Sequence, residues 1–315
     1  MGEKMIVSVT MNPSVDISYP LSTLILDDVN RCDKVRKTAG GKGLNVTRVI
    51  HQMEEEVIST GLLGGVLGEF IRENLSSEGI KHDFSNIQGD TRNCIAILHD
   101  NHKQTEILEA GPTISIEELS SFEETFLTLA ASSDVATLSG SLPKGVSKDY
   151  YSRLLSLLST TDIKVILDTS GESLKLALES SVKPYAIKPN SDELQTLLGE
   201  EVSADYTNFS DILSHSLFDG VPLIMVSLGK DGAFVKFDES FYRVEIPSIP
   251  VKNPVGSGDS TVAGLAIGLS KRKSIEEVLK YAMTLGMLNA MEDTTGCVDK
   301  TKFDDLFNQV SVYKL

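Results

Sequence analysis

Apolar residues along this chain gather into short continuous runs that alternate with longer segments of helical periodicity. The runs at 135–139, 165–168, 185–188 and 223–228 each lie near such a segment, and an earlier run at 5–10 opens the chain. Apolar runs of this length are typical of strands buried on both faces. Alternation of strands with helices predicts an α/β fold with a doubly wound, mainly parallel sheet flanked by helices.

The first third of the chain contains a second, less apolar pattern. Residues 29–35 mix polar side chains with residues that favour extended backbone, which predicts a weakly buried strand. Segments 94–99 and 104–108 alternate apolar and polar positions around Asp100-Asn101, which predicts a β-hairpin. No repeat, low-complexity tract or linker interrupts the pattern, so we predict one domain spanning all 315 residues with an accessory β layer.

Charge and composition exclude several classes of function. The formal net charge of −16 argues against a nucleic-acid binder, which needs basic surface to replace counterions, so an anionic substrate would need local positive charge. No apolar run is long enough for a bilayer and the first five residues lack a signal-peptide core, so we expect a cytoplasmic protein without membrane partners. Scattered Cys32, Cys94 and Cys297 predict reduced thiols. We expect His99 and His102 to be solvated turn residues rather than metal ligands.

One loop near the end of the chain combines small residues with an acid. Gly256-Ser257-Gly258-Asp259 directly precedes an apolar helix pattern rich in Ala and Gly. A helix N-terminus presents unpaired N–H groups and a positive dipole end to an anion, and Asp259 beside it could accept a proton from an attacking hydroxyl. Alternatively, Asp259 or Ser260 is only the helix N-cap.

Three earlier features also indicate ligand contacts. Three glycines surround Lys42 in the loop at 38–45, which indicates a site for a polar or anionic ligand; the spacing is not that of a P-loop. Asp16 follows an Asn-Pro turn just beyond the first strand, where α/β folds bind ligands. Arg92 directly precedes the predicted hairpin. A solvated surface role remains the alternative for Lys42 and Arg92.

Four motifs, in this order along the chain, indicate a family. They are Gly40-Gly41-Lys42-Gly43-x-Asn45, Lys188-Pro189-Asn190-x-x-Glu193, Ser227-Leu228-Gly229-x-x-Gly232 and Gly256-Ser257-Gly258-Asp259. Over essentially the whole chain this set resembles the ribokinase-like (PfkB) carbohydrate kinases. The resemblance implies a kinase domain with a small β-sheet lid formed by segments of about 12–40 and 92–110, and a homodimer formed through that lid.

The resemblance also implies a reaction. Asn12-Pro13-Ser14-Val15-Asp16 and Lys42 look like the branch of the family that acts on sugar phosphates. The resemblance implies ATP- and Mg²⁺-dependent phosphorylation. Within the branch, Asn253-Pro254-Val255 before Gly256 favours D-tagatose 6-phosphate as the substrate, with fructose 1-phosphate as the alternative. A non-catalytic sugar-phosphate sensor is a more remote alternative. A nicotinamide oxidoreductase is disfavoured because the dinucleotide fingerprint is missing after the first strand.

Residue roles follow from the same resemblance. Asp259 would be the general base, with the N–H groups of Gly256, Ser257 and Gly258 facing the transferring phosphoryl group. The implied sugar-site residues are Asp16, Gly41, Lys42, Asn45, Arg92, Ser139 and Arg31, the last of which would serve a neighbouring subunit. The implied ATP-site residues are Lys188, Asn190, Glu193, Ser227, Gly229, Gly232 and Asn289.

The Asn190-x-x-Glu193 motif has two interpretations. In the family it is tied to Mg²⁺ and phosphate, but the same spacing also forms a helix capping box. Mg²⁺ arrives with ATP and keeps several waters, so we expect no direct protein ligand and at most a water-mediated contact from Glu193.

Overall fold

The computed structural model describes residues 5–100, 103–203 and 208–315. The predicted turn residue Asn101, the neighbouring His102 and residues 1–4 at the start of the chain lie outside this part. The described chain forms a ten-stranded sheet flanked by helices and a separate four-stranded sheet. This arrangement confirms the predicted α/β class with a large, mainly parallel sheet and an accessory β layer.

The strands and helices have the following bounds in the described residues. The strands are β1 Ile6–Thr10, β2 Ser14–Pro20, β3 Arg36–Gly40, β4 Val57–Leu63, β5 Lys81–Asn86, β6 Arg92–His99, β7 Lys103–Leu108, β8 Val135–Ser139, β9 Lys164–Asp168, β10 Ala186–Ile187, β11 Leu223–Ser227, β12 Ala233–Phe237, β13 Ser240–Glu245 and β14 Ser311–Lys314. The helices are α1 Lys42–Gln52, α2 Gly65–Ser77, α3 Ile116–Ala130, α4 Tyr150–Leu157, α5 Gly171–Glu179, α6 Ser191–Leu198, α7 Phe209–Leu213, α8 Ser257–Ser270, α9 Ile275–Ala290 and α10 Phe303–Gln309.

The large sheet has the order β14-β13-β12-β11-β10-β9-β8-β1-β4-β5. Every pair from β11 to β5 is parallel, whereas β12, β13 and β14 are added antiparallel at one edge. From β1 the chain first builds outward through β4 and β5, and later returns to build the other side from β8. The strand order therefore reverses at β1, and in open α/β sheets ligands bind at the carboxyl ends of the strands near such a reversal.

Two apolar cores cover the two faces of this sheet. One face packs against helices α3 to α7, and the other packs against α1, α8, α9 and α10. The central strands β1 and β8 are buried at every position, as expected for parallel strands between two helix layers. The carboxyl ends of these strands therefore stay at fixed positions between the helix layers.

Helix α8 is held in place by unusually close packing against α9. Every residue of α8 from Asp259 to Ser270 is buried. A β-carbon on Gly264 would overlap the main-chain carbonyl of Tyr281, so only glycine permits this approach. The tight contact holds the N-terminus of α8 against the carboxyl ends of the strands.

The four-stranded sheet has the order β3-β2-β6-β7 and packs on α2 through a third, smaller core. The predicted hairpin is confirmed as the antiparallel pair β6–β7. The predicted strand at 29–35 is wrong, because this segment is irregular and β3 begins only at Arg36. Asp16 lies within β2 rather than in a loop, and Arg92 is the first residue of β6 rather than its predecessor.

Among the described residues, no helix combines the length and the apolar character that a membrane span requires.

Candidate active site

A cavity of about 620 Å³ lies between the small sheet, the carboxyl ends of the central strands and the start of α8. Eight of the predicted site residues line it. They are Asp16, Gly41, Lys42, Asn45, Arg92, Ser139, Gly256 and Asp259. Because the residues are up to 243 positions apart in the chain, only the fold brings them together.

The N-terminus of α8 presents unpaired donors at this cavity. Gly256 has a left-handed φ of 82°, which turns the loop sharply into the helix. The N–H groups of Ser257 and Ser260 donate to Pro254 and Gly256, but no acceptor for the N–H groups of Gly258 and Asp259 is found in the described chain. The capping alternative is not observed, since neither side chain caps the helix and the Ser260 hydroxyl donates to the Gly256 carbonyl. These free donors and the helix dipole form a site for an anion.

Asp259 is a buried carboxylate with one direct side-chain partner. Its Oδ2 accepts a hydrogen bond of 2.7 Å from Asn45 Nδ2, and its exposed fraction is only 7%. Burial and the nearby Asp168 carboxylate raise the pKa of Asp259 to about 6, against the opposing effects of Asn45, Lys42 and Lys188. A carboxylate with a pKa near 6 is ionised at neutral pH and is a stronger base than an ordinary aspartate.

Asp168, which the sequence reasoning missed, joins two lysines at the centre of the site. Its Oδ2 lies 3.3 Å from Lys42 Nζ and its Oδ1 lies 3.7 Å from Lys188 Nζ. Burial raises the pKa of Asp168, but Lys188 and Lys42 outweigh burial and hold this pKa below its usual value. In turn, Asp168 raises the pKa of Lys42. An acid that closes the apolar run 165–168 was the available signal, because a carboxylate at a strand end lies beside any ligand bound there.

Lys188 reaches the anion site at α8 as well. Its side chain is 94% buried, and a β-carbon added to Gly258 would lie 3.2 Å from Lys188 Nζ. The ammonium group therefore lies beside the first turn of α8, where its charge adds to that of the helix dipole.

The end of the cavity under the small sheet is lined by polar and charged groups. Asp16 Oδ1 accepts a hydrogen bond of 2.7 Å from Ser14, and burial raises the pKa of Asp16. Arg92 donates to the carbonyls of Glu109 and Asn12. Several buried polar atoms here have no partner in the described structure, and a ligand with several oxygens would satisfy them. They are Thr10 Oγ1, Asn12 Oδ1, Ser139 Oγ and Arg92 Nε.

None of the predicted nucleotide residues lines the cavity; apart from Asn289 on α9, they lie at the end of β11 or in the segments that follow β10 and β11. Asn190 caps α6 and forms the reciprocal capping box with Glu193, so the structural interpretation of this motif is confirmed. Asn190 also pairs with Ser227 in an isolated parallel bridge. Gly229 and Gly232 have φ values of 57° and 84° in the turn that follows β11. Asn190 and the two glycines thus follow the carboxyl ends of β10 and β11, the strands next to β9 in the sheet.

Two further predicted residues, Arg31 and Asn289, also lie outside the cavity lining. Arg31 is exposed in the irregular segment before β3 and does not line the cavity of its own chain. Asn289 is completely buried, and its amide binds the carbonyl of Val255 at 2.9 Å and the N–H of Gly296 at 2.8 Å. Its side chain therefore fixes the loop before α8 and has no group free for a ligand.

In the part of the chain that the structure describes, no group of three or more His, Cys, Asp or Glu side chains is arranged to hold a metal ion.

Comparison with known proteins gives one family. Residues 9–300 match the pfkB family carbohydrate kinases. Two curated proteins named tagatose-6-phosphate kinase, from two strains of Staphylococcus epidermidis, are 52% and 51% identical to this chain over 311 residues. The match covers 99% of this chain and 100% of each relative.

Solved structures agree on the fold. Phosphofructokinase-2 from Escherichia coli, in a crystal structure with potassium, superposes with a TM-score of 0.88 at 24% identity, over 98% of this chain and 99% of that one. The same enzyme with fructose-6-phosphate and in its tetrameric inhibited form also matches, each with a TM-score of 0.87. At this identity the likeness concerns the fold alone.

Proposed function

Because this chain belongs to the PfkB family of carbohydrate kinases, we propose that it transfers the γ-phosphoryl group of ATP to D-tagatose 6-phosphate. The product is D-tagatose 1,6-bisphosphate. The family supports ATP as the phosphoryl donor, and the names of the two Staphylococcus epidermidis relatives support the choice of sugar phosphate. The observation that carries the proposal is the buried Asp259 carboxylate at the open N-terminus of α8, beside two lysines.

Asp259 acts as the general base. It takes the proton from the sugar hydroxyl as the hydroxyl oxygen forms its bond to the γ-phosphorus, and the bond from that phosphorus to the β-phosphate oxygen breaks to release ADP. Its raised pKa supports this role, because a base with a pKa near the working pH combines ionisation with proton affinity. The Asn45 amide keeps one carboxylate oxygen oriented, so the other is free for the hydroxyl.

The transferring phosphoryl group lies at the first turn of α8. Stabilising the charge that spreads over its oxygens is the main task in phosphoryl transfer. The N–H groups of Gly258 and Asp259 and the ammonium of Lys188 supply this stabilisation. Lys42, held by Asp168 in this structure, is 42% exposed and turns toward the phosphates when they arrive.

The sugar phosphate occupies the end of the cavity under the small sheet. Asp16 accepts hydrogen bonds from sugar hydroxyls, and Ser139 and the backbone at Gly41 complete the contacts. Arg92, whose Nε lacks a partner in the described chain, binds the phosphate of the substrate together with Lys42. These cations provide local positive charge in a protein with a formal net charge of −16.

ATP extends from α8 toward β11, along Lys188, Asn190 and Ser227 to the turn at Gly229 and Gly232. The chemistry of this donor set fits a triphosphate, because it combines a buried cation with a glycine-rich turn that permits close approach of a ligand. Mg²⁺ bound to the nucleotide would neutralise phosphate charge, and we expect Glu193 to contact it only through water.

The small sheet acts as a lid, and two copies of the chain associate through it. Apolar side chains are exposed on this sheet and on the segment that precedes β3, among them Leu26, Val29, Ile107 and Leu108 at 82, 67, 53 and 61%. Association would cover them, as exposed apolar patches commonly mark interaction surfaces. The exposed Arg31 would then serve the site of the neighbouring copy.

A substrate panel tests the proposal. Initial rates of ADP formation are measured with ATP and each of D-tagatose 6-phosphate, D-fructose 6-phosphate and D-fructose 1-phosphate. We expect the highest kcat/KM for D-tagatose 6-phosphate. A preference for fructose 1-phosphate would assign the alternative activity, 1-phosphofructokinase. Absence of turnover with all three sugars would reject the proposal and favour a sugar-phosphate sensor.

A further inference from the structure

Arg48 on α1 is a buried cation with no carboxylate partner at ion-pair distance in the described chain. Only 8% of its surface is exposed. Its guanidinium donates to the Ala39 carbonyl at the end of β3 and, at 2.6 Å, to Asn45 Oδ1. Burial lowers the pKa of Arg48, and Glu78, Asp16 and Asp259 oppose this effect only at longer range. Burying a charge without a direct ion pair is costly, so its position calls for an explanation.

The contact with Asn45 determines which way that amide points. Arginine has hydrogen-bond donors only, so the atom of Asn45 that faces Arg48 must be the oxygen. The amide nitrogen then necessarily faces Asp259, where Nδ2 donates to Oδ2 at 2.7 Å. Gly296 confines the pair, since a β-carbon there would lie 3.1 Å from Asn45 Oδ1 and 3.2 Å from Arg48 Nη2.

We propose that Arg48 is a positioning residue for phosphoryl transfer, which holds the Asn45 amide in the one orientation that donates to the Asp259 carboxylate. The inference rests on the proposed role of Asp259 as the base. Arg48 lines the cavity with only 8% of its surface exposed; it acts through Asn45 and makes no hydrogen bond with Asp259 in the described chain. Its second bond, to Ala39, joins the same guanidinium to the end of β3 in the small sheet.

Loss of Arg48 would release the amide. A rotated Asn45 presents its oxygen to Asp259, where it repels the carboxylate but accepts a hydrogen bond from the protonated acid. The other charged groups that face Asp259 are Lys42 on α1, Lys188 after β10 and Asp168 on β9, and they stay unchanged. The expected consequence is a base that is protonated at higher pH, which differs from a general loss of structure.

The pH dependence of kcat/KM for the ketohexose phosphate tests this inference. We expect the wild-type rate to fall below pH about 6, as the pKa of Asp259 requires. Exchange of one charge-assisted hydrogen bond moves a pKa by about one unit, so Arg48→Met should move this acid limb to about pH 7. The ratio of the variant's kcat/KM to the wild-type kcat/KM is then about eightfold lower at pH 5.5 than at pH 8.5.

Arg72→Met is the matched control. Arg72 also donates to a backbone carbonyl, that of Phe84, and to an asparagine oxygen, Asn86 Oδ1, but it lies on α2 and does not line the cavity. We expect this variant to keep the wild-type acid limb even if it unfolds at a lower temperature. An equal change of the limb in both variants would overturn the inference.

Three further variants separate positioning from folding. Asn45→Ala should shift the limb in the same direction, and the double variant should shift it no further, because Arg48 acts through Asn45. Arg48→Lys keeps the buried charge but offers a single nitrogen, and we expect about half of the Met shift. A uniform loss at all pH values in the Arg48 variants, or additive shifts in the double variant, would overturn the inference. A wild-type profile without an acid limb would instead reject Asp259 as the base.

Discussion

Replacement of Asp259 by asparagine should stabilise the protein while it removes most of its activity. Burial and Asp168 raise the pKa of Asp259 to about 6 from 3.8, so the folded chain binds this proton more tightly than the unfolded chain. The free energy of unfolding therefore decreases as the pH rises from about 4 through 6. Above that range the destabilisation by the ionised carboxylate has reached its full value. Asparagine is close in shape to the protonated acid and never carries the charge.

The size of the effect follows from the shift. About two pKa units at 1.36 kcal/mol each predict that Asp259→Asn is more stable by about 3 kcal/mol at pH 8. The same linkage gives a difference below about 1 kcal/mol at pH 4. For a chain of 315 residues, 3 kcal/mol corresponds to a rise in Tm of about 4–5 °C. Loss of a general base lowers kcat by about 10²–10⁴.

Denaturant unfolding at pH 4, 6 and 8 without ligands, followed by fluorescence or circular dichroism, measures this directly. The matched control is Asp304→Asn, which also changes an aspartate in the first turn of a helix, but an exposed one. We expect the control to stay within about 0.5 kcal/mol of wild type at each pH. An Asp259→Asn variant that is no more stable than wild type at pH 8 would show that burial and Asp168 do not destabilise the ionised Asp259 carboxylate.

Two other outcomes follow from the geometry. A methyl group on Gly40 would overlap the Asp16 carboxylate, so Gly40→Ala should raise the KM for the sugar phosphate about tenfold or more and leave the KM for ATP unchanged. Gly171→Ala has no atom near its β-carbon but places alanine at a left-handed φ of 61°, so it controls for backbone strain without a steric clash. An equal rise in both KM values of Gly40→Ala would contradict the assignment. Sedimentation equilibrium should give about twice the chain mass of 34.2 kDa, and a monomer at micromolar concentration would reject association through the lid.

Much of the large sheet could be predicted because its strands are continuous apolar runs. β8 and β9 combine high local β propensity with burial on both faces, so pattern and structure agree. β5, β13 and β14 have no such pattern. They lie at or near the edges of the sheet, where the neighbouring strand supplies the backbone hydrogen bonds that local sequence does not encode.

The small sheet and the charges of the site show the limit of local reasoning. β3 reads Arg-Lys-Thr-Ala-Gly and carries almost no apolar signal; its pairing with β2 creates the strand, which is why the prediction fell on the wrong segment. Lys42 and Asp259 could be identified because each lies in a glycine-rich loop, and such a loop is recognisable from consecutive residues. Asp168 acquires its importance only from Lys42 and Lys188, which lie 126 and 20 residues away in the chain.

We propose that Asp259 and the N-terminus of α8 transfer phosphate from ATP to a sugar phosphate. This proposal is tested most directly by phosphorus NMR of the products formed from ATP and D-tagatose 6-phosphate. We expect ADP and a sugar with two phosphate esters in equal amounts, formed at a rate that Asp259→Asn lowers by about 10² or more. ADP released with inorganic phosphate and no bisphosphate, or an unchanged rate in the variant, would contradict it.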